Sequence, residues 1–345
     1  MKIFGKHRWW VTRVLVLPLH ILVFAMLAFF LVRLIPGDPV LQILKEGTVT
    51  PEEYAAVQAS LGLQGSIFDQ FLRYIVNLAQ LDFGTSITSG RDVWPELLVR
   101  FPITLQLTLI GTVCTIVFAF LASYVASAHP TGLAGRVLRF YARTAGALPD
   151  FVLGVGSIFL FYILLRWAPA PIGVVSAAES LPAPVTGFTL IDSMLAGNLD
   201  ITVSILAHLA LPVLVLTVGY APLIMKILIL SLDDAIDAPS TRFRVATGAT
   251  HSMVVLSIFR KAAPPAVVIC GMLFGGLLGG SVVLDQLFSL GGIGQYAVAA
   301  ISANDFPVLQ GFLVLTAAIS LVVYLVVDVV NMLLDPRRRP GVAEG

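Results

Sequence analysis

The chain has 345 residues, of which 58% are hydrophobic and only 12% are charged, and its formal net charge is +1. Because about a quarter of the residues in a soluble domain are charged, this composition excludes a soluble globular protein and predicts a polytopic membrane protein. The sequence has no basic cluster with interleaved aromatic residues, which argues against a nucleic-acid partner. The two cysteines, Cys114 and Cys270, lie in apolar runs, so they indicate neither a disulfide framework nor a metal site.

Apolar runs of membrane-spanning length predict six transmembrane helices in an all-α fold. The first run, over residues 14–32, follows a basic N-terminus and passes directly into Arg33. We interpret it as a retained span, because a cleaved signal peptide has a shorter apolar core. The other five spans are predicted at about residues 101–128, 145–165, 201–230, 266–287 and 308–334.

Residues 34–100 are polar enough to leave the membrane, and they carry helix signals. Thr50 and Glu53 fit a capping box with proline at the first helical position, and Ser66 and Asp69 indicate a second helix start. Apolar residues then recur on one helical face, at Phe68, Phe71, Leu72, Ile75, Val76 and Ala79. We predict an extracytoplasmic helical cap over 34–100, between a first part (1–33, cytoplasmic N-terminus and first span) and a five-helix core (101–345). The alternative is that 34–100 is only a connector.

The positions of lysine and arginine predict the orientation, because short cytoplasmic loops hold the excess of positive charge. Six spans place both termini on one side, and 15 of the 21 lysines and arginines then lie on that side. We therefore expect both termini in the cytoplasm, together with the polar segment at about residues 232–262.

The fifth span carries glycines at every fourth position on two neighbouring faces. They are Gly271, Gly275 and Gly279 on one face, and Gly276 and Gly280 on the other. Such spacing lets helix backbones approach closely, so we predict helix packing along a translocation path at these positions. Asp328, an ionisable residue in the sixth span, is a further candidate for that path.

The sequence contains no phosphate loop of the form GxxxxGKS or GxxxxGKT, no HExxH and no GxSxG. We therefore expect that the chain is not an enzyme and binds no cofactor or metal. An ion-coupled secondary carrier is the alternative from another class, and it would show ionisable groups near the midplane and inverted repeats. Asp150, His208 and Asp328 instead lie near span ends. For such a carboxylate we expect an arginine or a backbone amide as its partner.

Several segments together resemble the permease subunits of ATP-binding cassette importers of the dipeptide, oligopeptide and nickel branch, specifically the first permease of the pair. They are FFLVRLIPGDPV, LDFGTSI, RFPITLQLTL, RVATGA with Gly248, FGGLLGGSVVLDQLFSLGGIGQ, NDFPVLQG and LVVDVVNMLLDPRRR. The likeness covers essentially the whole chain. The chain departs from the family in lacking a basic residue just before Gly248 and in having Gln106 where an acidic residue is usual. Pro264 and Pro265 are an unusual start to the fifth span.

The resemblance implies a type I importer permease fold in which this chain is moved by other subunits. The partners it implies are a second homologous permease subunit, two ATPase subunits that bind the ATP and Mg²⁺, an extracytoplasmic substrate-binding protein and membrane lipid. The cytoplasmic segment would form a short helix, centred on Arg242 to His251, that docks in a groove on an ATPase subunit. The candidate coupling residues are Arg242, Arg244, Ala246, Gly248, His251, Arg260 and Lys261.

The resemblance also implies a location in the cytoplasmic membrane of a bacterium and the import of di- and oligopeptides. Nickel chelates, haem, glutathione and glycosides are the alternative cargoes for the same machinery.

Overall fold

The computed structural model describes residues 4–34, 39–44, 50–60 and 62–334. These residues form thirteen α-helices and no β-strand, which confirms the predicted all-α class. In chain order the helices are α1 (Phe4–Arg33), α2 (Pro39–Leu44), α3 (Pro51–Ser60), α4 (Ile67–Ala79), α5 (Val93–Ala128), α6 (Leu133–Thr144), α7 (Asp150–Ser157), α8 (Thr189–Leu195), α9 (Leu199–Asp237), α10 (Pro239–Ala246), α11 (His251–Leu287), α12 (Ile293–Ser302) and α13 (Phe306–Leu334). Residues 36–38 of the PGDP motif and residues 335–340, the closing DPRRRP, lie outside the described residues.

Both predicted helix starts in the 34–100 segment are confirmed. Thr50 and Glu53 exchange backbone-to-side-chain hydrogen bonds of 3.0 and 3.3 Å at the start of α3. Ser66 and Asp69 form the reciprocal capping box that opens α4. Local sequence therefore determines where these two helices begin.

Among the described residues, five helices are long and apolar enough to cross a membrane: residues 14–33 of α1, all of α5, α9 and α11, and residues 306–329 of α13. The predicted third span is shorter than expected. It begins at Asp150 and not at about residue 145, and α7 continues as a π-helical stretch over Ile158–Leu164. A 3₁₀ turn at Ala145–Ala147 and the extended backbone of Pro149 interrupt the helix before Asp150. Proline lacks the N–H that a continuous helix requires.

Three helices extend well beyond the predicted spans. The helix α5 begins at Val93, before the predicted start at residue 101. The helix α9 begins at Leu199, close to the predicted start, but continues to Asp237, past the predicted end at residue 230. The helix α11 begins at His251, before the predicted start at residue 266. Pro264 and Pro265 consequently lie inside α11 and do not open it. Hydropathy marks only the apolar stretch of each helix, so it does not predict the polar turns that continue the same helix into water.

The core is a bundle of α5, α9 and α11, with α1 packed against α13 on its outside. Small residues on α5 allow this packing. A Cβ at Gly111 would lie 2.6 Å from the Leu216 side chain of α9, and Thr108 Oγ1 lies 2.9 Å from Ser281 Oγ of α11. Small residues and interhelical hydroxyl contacts are typical of helix packing in membranes.

The segment between the π-helical stretch and α9 packs against α5 at one end of the bundle. Gln106 of α5 donates to Thr189 Oγ1 at 3.1 Å and accepts from the Leu190 N–H at 2.9 Å. The buried carboxylate of Asp192 accepts from the N–H groups of Thr186 and Gly187 at 2.8 and 3.0 Å. This outer segment, for which the sequence predicted no role, is therefore a hydrogen-bonded part of the fold.

Candidate coupling helix and core glycines

The short helix α10 joins the ends of α9 and α11 on one face of the bundle. Ala238 has an extended backbone between α9 and α10, and Pro239 opens α10, where its missing N–H would be unpaired in any case. The buried Thr241 donates its hydroxyl to the carbonyl of Ala235 on α9 at 2.7 Å. Because of this bond and the one-residue connection, a force on α10 acts directly on the last turn of α9.

The outer face of α10 combines apolar and basic side chains. Phe243 is 69% exposed and Val245 is 61% exposed, and Arg242, Arg244 and Ala246 are exposed beside them. Arg242 forms an ion pair with Asp237 of α9 that is long, at 3.9 Å, and exposed, so this pair holds the arginine only weakly. Exposed aromatic and aliphatic groups flanked by arginine are the composition expected of a protein interface.

Gly248 ends α10 in a left-handed turn. Its φ is +78°, its N–H donates to Val245 O at 3.1 Å, and the N–H of Ala249 donates to Arg244 O at 3.1 Å. These two bonds define a Schellman motif, in which glycine is favoured because it has no Cβ. A glycine at position 248 is therefore explained by this turn, and its coupling role stays a prediction.

The predicted helix centred on Arg242 to His251 is wrong in its bounds, because the turn at Gly248 separates two helices. Arg242 and Arg244 lie on α10, whereas His251 is the first residue of α11. Arg260 and Lys261 are exposed further along α11. The predicted coupling residues thus come from two helices that meet at one turn.

An ion pair fixes the end of α9 next to α10. Arg139 of α6 forms a two-pronged contact with Asp233, with distances of 2.8 and 3.0 Å, and its Nε donates to Ala126 O of α5 at 3.2 Å. The hydrogen bonds to Asp233 raise the pKa of Arg139, so the guanidinium remains charged. This pair joins α5, α6 and α9 close to the start of α10.

Two of the predicted glycines are contact points between α11 and α13. A Cβ at Gly271 would overlap the Val327 side chain, and a Cβ at Gly275 would overlap the Tyr324 hydroxyl. Both glycines therefore permit close packing within this chain. Their predicted place along a translocation path stays a prediction.

Gly276 and Gly280, on the neighbouring face, approach Tyr220 of α9. The Tyr220 hydroxyl lies 2.7 Å from the Gly276 carbonyl oxygen and 2.8 Å from a carboxylate oxygen of Asp150. A Cβ at Gly280 would lie 2.6 Å from that carboxylate. Tyr220 thus connects α7, α9 and α11, and it is the partner of Asp150 in place of the expected arginine or backbone amide. Sequence reasoning missed it because a tyrosine in an apolar run gives no sign of its partner.

Gly279 differs from the other glycines of α11, because a Cβ added to it would meet no atom of another element within 4 Å. It faces an apolar groove of about 430 Å³ between α1, α11 and α13. Asp328 is exposed on α13, in a separate groove of about 320 Å³ that His20 of α1 also lines. Asp328 therefore does not line the groove that Gly279 faces.

Asp285, which sequence reasoning missed, is a buried carboxylate that accepts hydrogen bonds from three backbone N–H groups. It is fully buried at the end of α11 and accepts from the N–H groups of Gly292, Gly294 and Gln295 at 2.9, 2.8 and 3.1 Å. The hydroxyl of Thr104 on α5 is also 3.3 Å away. An aspartate followed by the GGIG segment that starts α12 is the sequence signal for this arrangement, because a carboxylate is stabilised at a helix N-terminus.

Comparison with known sequences agrees with this architecture. The family of binding-protein-dependent transport system inner membrane components matches residues 116–340, and the N-terminal component of such membrane proteins matches residues 6–108. The di/tripeptide transport system permease protein of Pseudomonas aeruginosa is 33% identical over 315 residues, which is 91% of this chain and 93% of that protein.

Two further relatives extend the match over nearly the whole chain. The dipeptide transport system permease protein of Escherichia coli is 32% identical over 338 residues, covering 94% of this chain and 96% of the relative. The glutathione transport system permease protein of Shigella flexneri is 28% identical over 330 residues, covering 95% and 98%. Together with the long apolar helices, these matches establish that the chain belongs to the family of binding-protein-dependent transport system inner membrane components and is a multi-pass permease of the ATP-binding cassette importers.

Proposed function

We propose that this chain is one of two permease subunits of an importer for di- and oligopeptides and that it is a passive gate. A second homologous permease completes the path, and an extracytoplasmic binding protein delivers the peptide. Two ATPase subunits bind ATP and Mg²⁺ and carry out the hydrolysis. In this arrangement both termini and α10 face the cytoplasm of a bacterial cell, as the distribution of lysine and arginine favours.

The observation that carries the proposal is the exposed, rigidly attached α10. Phe243 and Val245 offer an apolar surface at the end of the bundle, and Thr241 fixes that surface to α9. An ATPase groove that receives α10 would move α9, and the Arg139–Asp233 pair would carry the movement to α6. Because a ligand shifts an equilibrium only through its different affinities for two states, the ATP-bound ATPase pair must bind α10 more tightly in one state of the gate.

The cargo is proposed from the relatives. Those reported above are named for transport of di/tripeptides, dipeptides and glutathione, and glutathione is itself a tripeptide. A short peptide is the substrate class that these names share. Nickel chelates, haem and glycosides remain the alternatives, and none of the relatives named above supports them.

The proposal is tested by replacing Phe243 with alanine in the assembled transporter. Since buried aromatic anchors typically contribute about 2 kcal/mol or more to an interface, we expect the permease to bind its ATPase subunits roughly 30-fold more weakly. ATP-driven uptake of labelled di- to pentapeptides should fall in parallel. The matched control is Phe140→Ala, which removes another exposed phenylalanine, on α6. Equal binding and uptake in the two variants would contradict the docking role of α10.

Glutathione is the second candidate cargo, because one relative is named for it. Competition separates the two candidates in the same assay. An excess of unlabelled dipeptide should abolish uptake of the labelled dipeptide, and an excess of glutathione should leave that uptake unchanged. Uptake of labelled glutathione that dipeptide does not inhibit would instead assign the transporter to glutathione.

A further inference from the structure

The amphipathic helix α4 has more apolar surface than the protein covers. One row of its side chains packs against α1, with ring centroids of Phe71 and Phe29 5.3 Å apart and those of Tyr74 and Phe29 5.4 Å apart. Ile75 and Leu78 join the same contact with α1. This row includes only two of the six apolar residues that the sequence predicts on one face of the helix, Phe71 and Ile75.

Three of the remaining predicted residues form a second row that nothing in the described chain covers. Phe68 is 66% exposed, Leu72 is 47% exposed and Val76 is 56% exposed. These residues are four apart, so they lie in line along one side of α4. The adjoining side of α4 is polar, and Arg73 there donates to the carbonyl oxygens of Gly62 and Gln64.

The position of α4 along α1 determines what its exposed row meets. At the start of α4, Gln70 accepts from Arg33 at 2.9 Å, at the outer end of the first span. Further along α4, Ile75 and Leu78 pack in the cluster that contains Ala25. The buried members of that cluster on α1, Ala28 and Ala25, lie five and eight residues before Arg33, so the cluster reaches about 8–12 Å inside the end of the apolar span. α4 therefore descends beside α1 to the depth of the hydrocarbon.

The surface beside the exposed row is also apolar. Phe30 of α1 stacks on Phe71 with a centroid distance of 5.9 Å, and Phe30 and Leu34 are both exposed. The exposed rows of α4 and α1 are thus continuous. They consist of large side chains, whereas helix–helix contacts in membranes are enriched in small residues such as those of α5 and α11.

We infer that α4 is embedded in the outer leaflet of the membrane, with the Phe68, Leu72 and Val76 row in contact with lipid acyl chains. Like other amphipathic helices that bury one face in lipid, α4 has a polar face and an apolar face of Phe and Leu. The segment predicted as an extracytoplasmic cap would then anchor the transporter laterally in lipid at this helix. This role is independent of the cargo and of the coupling role of α10.

The test uses the complete transporter in nanodiscs of phosphatidylethanolamine and phosphatidylglycerol. Spin labels are placed at Leu72→Cys and, as the matched control on the polar side of the same helix, at Asn77→Cys, with Cys114 and Cys270 replaced by alanine. At position 72 dissolved oxygen should relax the label more than a water-soluble nickel chelate does, and at position 77 the order should be reversed. Strong relaxation by the nickel chelate at position 72 would place the row in water, and protection from both reagents would place it against another protein. Either result overturns the inference.

A second measurement needs no substitution. The unmodified transporter is assembled with a phospholipid that carries a carbene-generating group on its acyl chain, and labelling is located by mass spectrometry. We expect label on Phe68, Leu72 and Val76 but not on Asp69 or Arg73. Absence of label from the 67–79 peptide, in a sample where α1 is labelled, would contradict lipid contact.

Discussion

Loss of the Asp285 carboxylate tests whether the hydrogen bonds between α11 and the start of α12 stabilise the fold. In Asp285→Ala the N–H groups of Gly292, Gly294 and Gln295 lose their common acceptor in a fully buried site. A buried donor left unpaired costs about 1–3 kcal/mol, which gives an upper range of about 3–9 kcal/mol for three donors. Relaxation of the short α12 and entry of water from the nearby surface reduce this loss. We therefore expect a destabilisation of about 3–5 kcal/mol.

The assay is the temperature at which the purified transporter loses its monodisperse peak in fluorescence-detected size-exclusion chromatography. At about 2.1 cal/mol/K of unfolding entropy per residue, a loss of this size corresponds to a decrease of about 4–7 °C in the apparent midpoint for a chain of 345 residues. Asp285→Asn should fall between alanine and the wild type, because its amide oxygen retains one acceptor while its NH₂ group faces N–H donors. The control is Asp234→Ala, which removes an exposed carboxylate from α9 and should change stability by less than about 0.5 kcal/mol. If Asp285→Ala and Asp234→Ala have the same midpoint, the hydrogen bonds of Asp285 do not stabilise the fold.

Three further predictions concern the core and the coupling end. A double-mutant cycle between Arg139→Ala and Asp233→Ala should give a coupling free energy of about 1 kcal/mol in the same midpoint assay, because the pair is partly exposed; strict additivity would show that the pair is energetically neutral. Gly271→Ala should destabilise the transporter by about 1–3 kcal/mol through overpacking, whereas Gly279→Ala should match the wild type, and the reasoning fails if the two variants rank in the opposite order. Gly248→Trp should leave the chain folded, because the space around the glycine is open. It should abolish peptide uptake and uncouple ATPase activity, because tryptophan disfavours the left-handed backbone of the turn. Normal uptake by this variant would argue against a coupling role for the turn.

Local chemistry predicted the starts of α3 and α4 correctly. The capping boxes at Thr50 and Ser66 both form, because each depends on residues only three positions apart. The interruption before Asp150 was not predicted, since apolar composition extends across Pro149 and the short 3₁₀ turn. Hydropathy measures solvent preference, so it does not reveal a break in backbone hydrogen bonding.

The ends of the long helices show the same limit in the opposite direction. The segment between the fourth and fifth spans is polar, and it reads as a loop in a hydropathy profile. In the structure it consists of α10 and the first turns of α11, separated at Gly248. Amphipathic and polar helices at the membrane surface are stabilised by attachment to the spans, as Thr241 illustrates, and such tertiary contacts are not visible in a local window.

Side-chain partners were the least predictable part of the candidate site. The four-residue spacing of the α11 glycines predicted close packing, yet it could not distinguish Gly271, which contacts α13, from Gly279, which faces a groove. The contact of Tyr220 with Asp150 joins residues 70 positions apart. Contacts over such distances depend on how the helices are arranged, and a single sequence carries little information about that arrangement.

The central claim is that this chain is a gate without an energy source of its own, moved through α10 by separate ATPases. The most direct measurement is accumulation of a labelled dipeptide in vesicles that contain the two permease subunits, with the binding protein present, and with or without the ATPase subunits and ATP. We expect accumulation of the dipeptide against a concentration gradient only when ATPases and ATP are both supplied. Accumulation by vesicles that hold the permease subunits alone would contradict it.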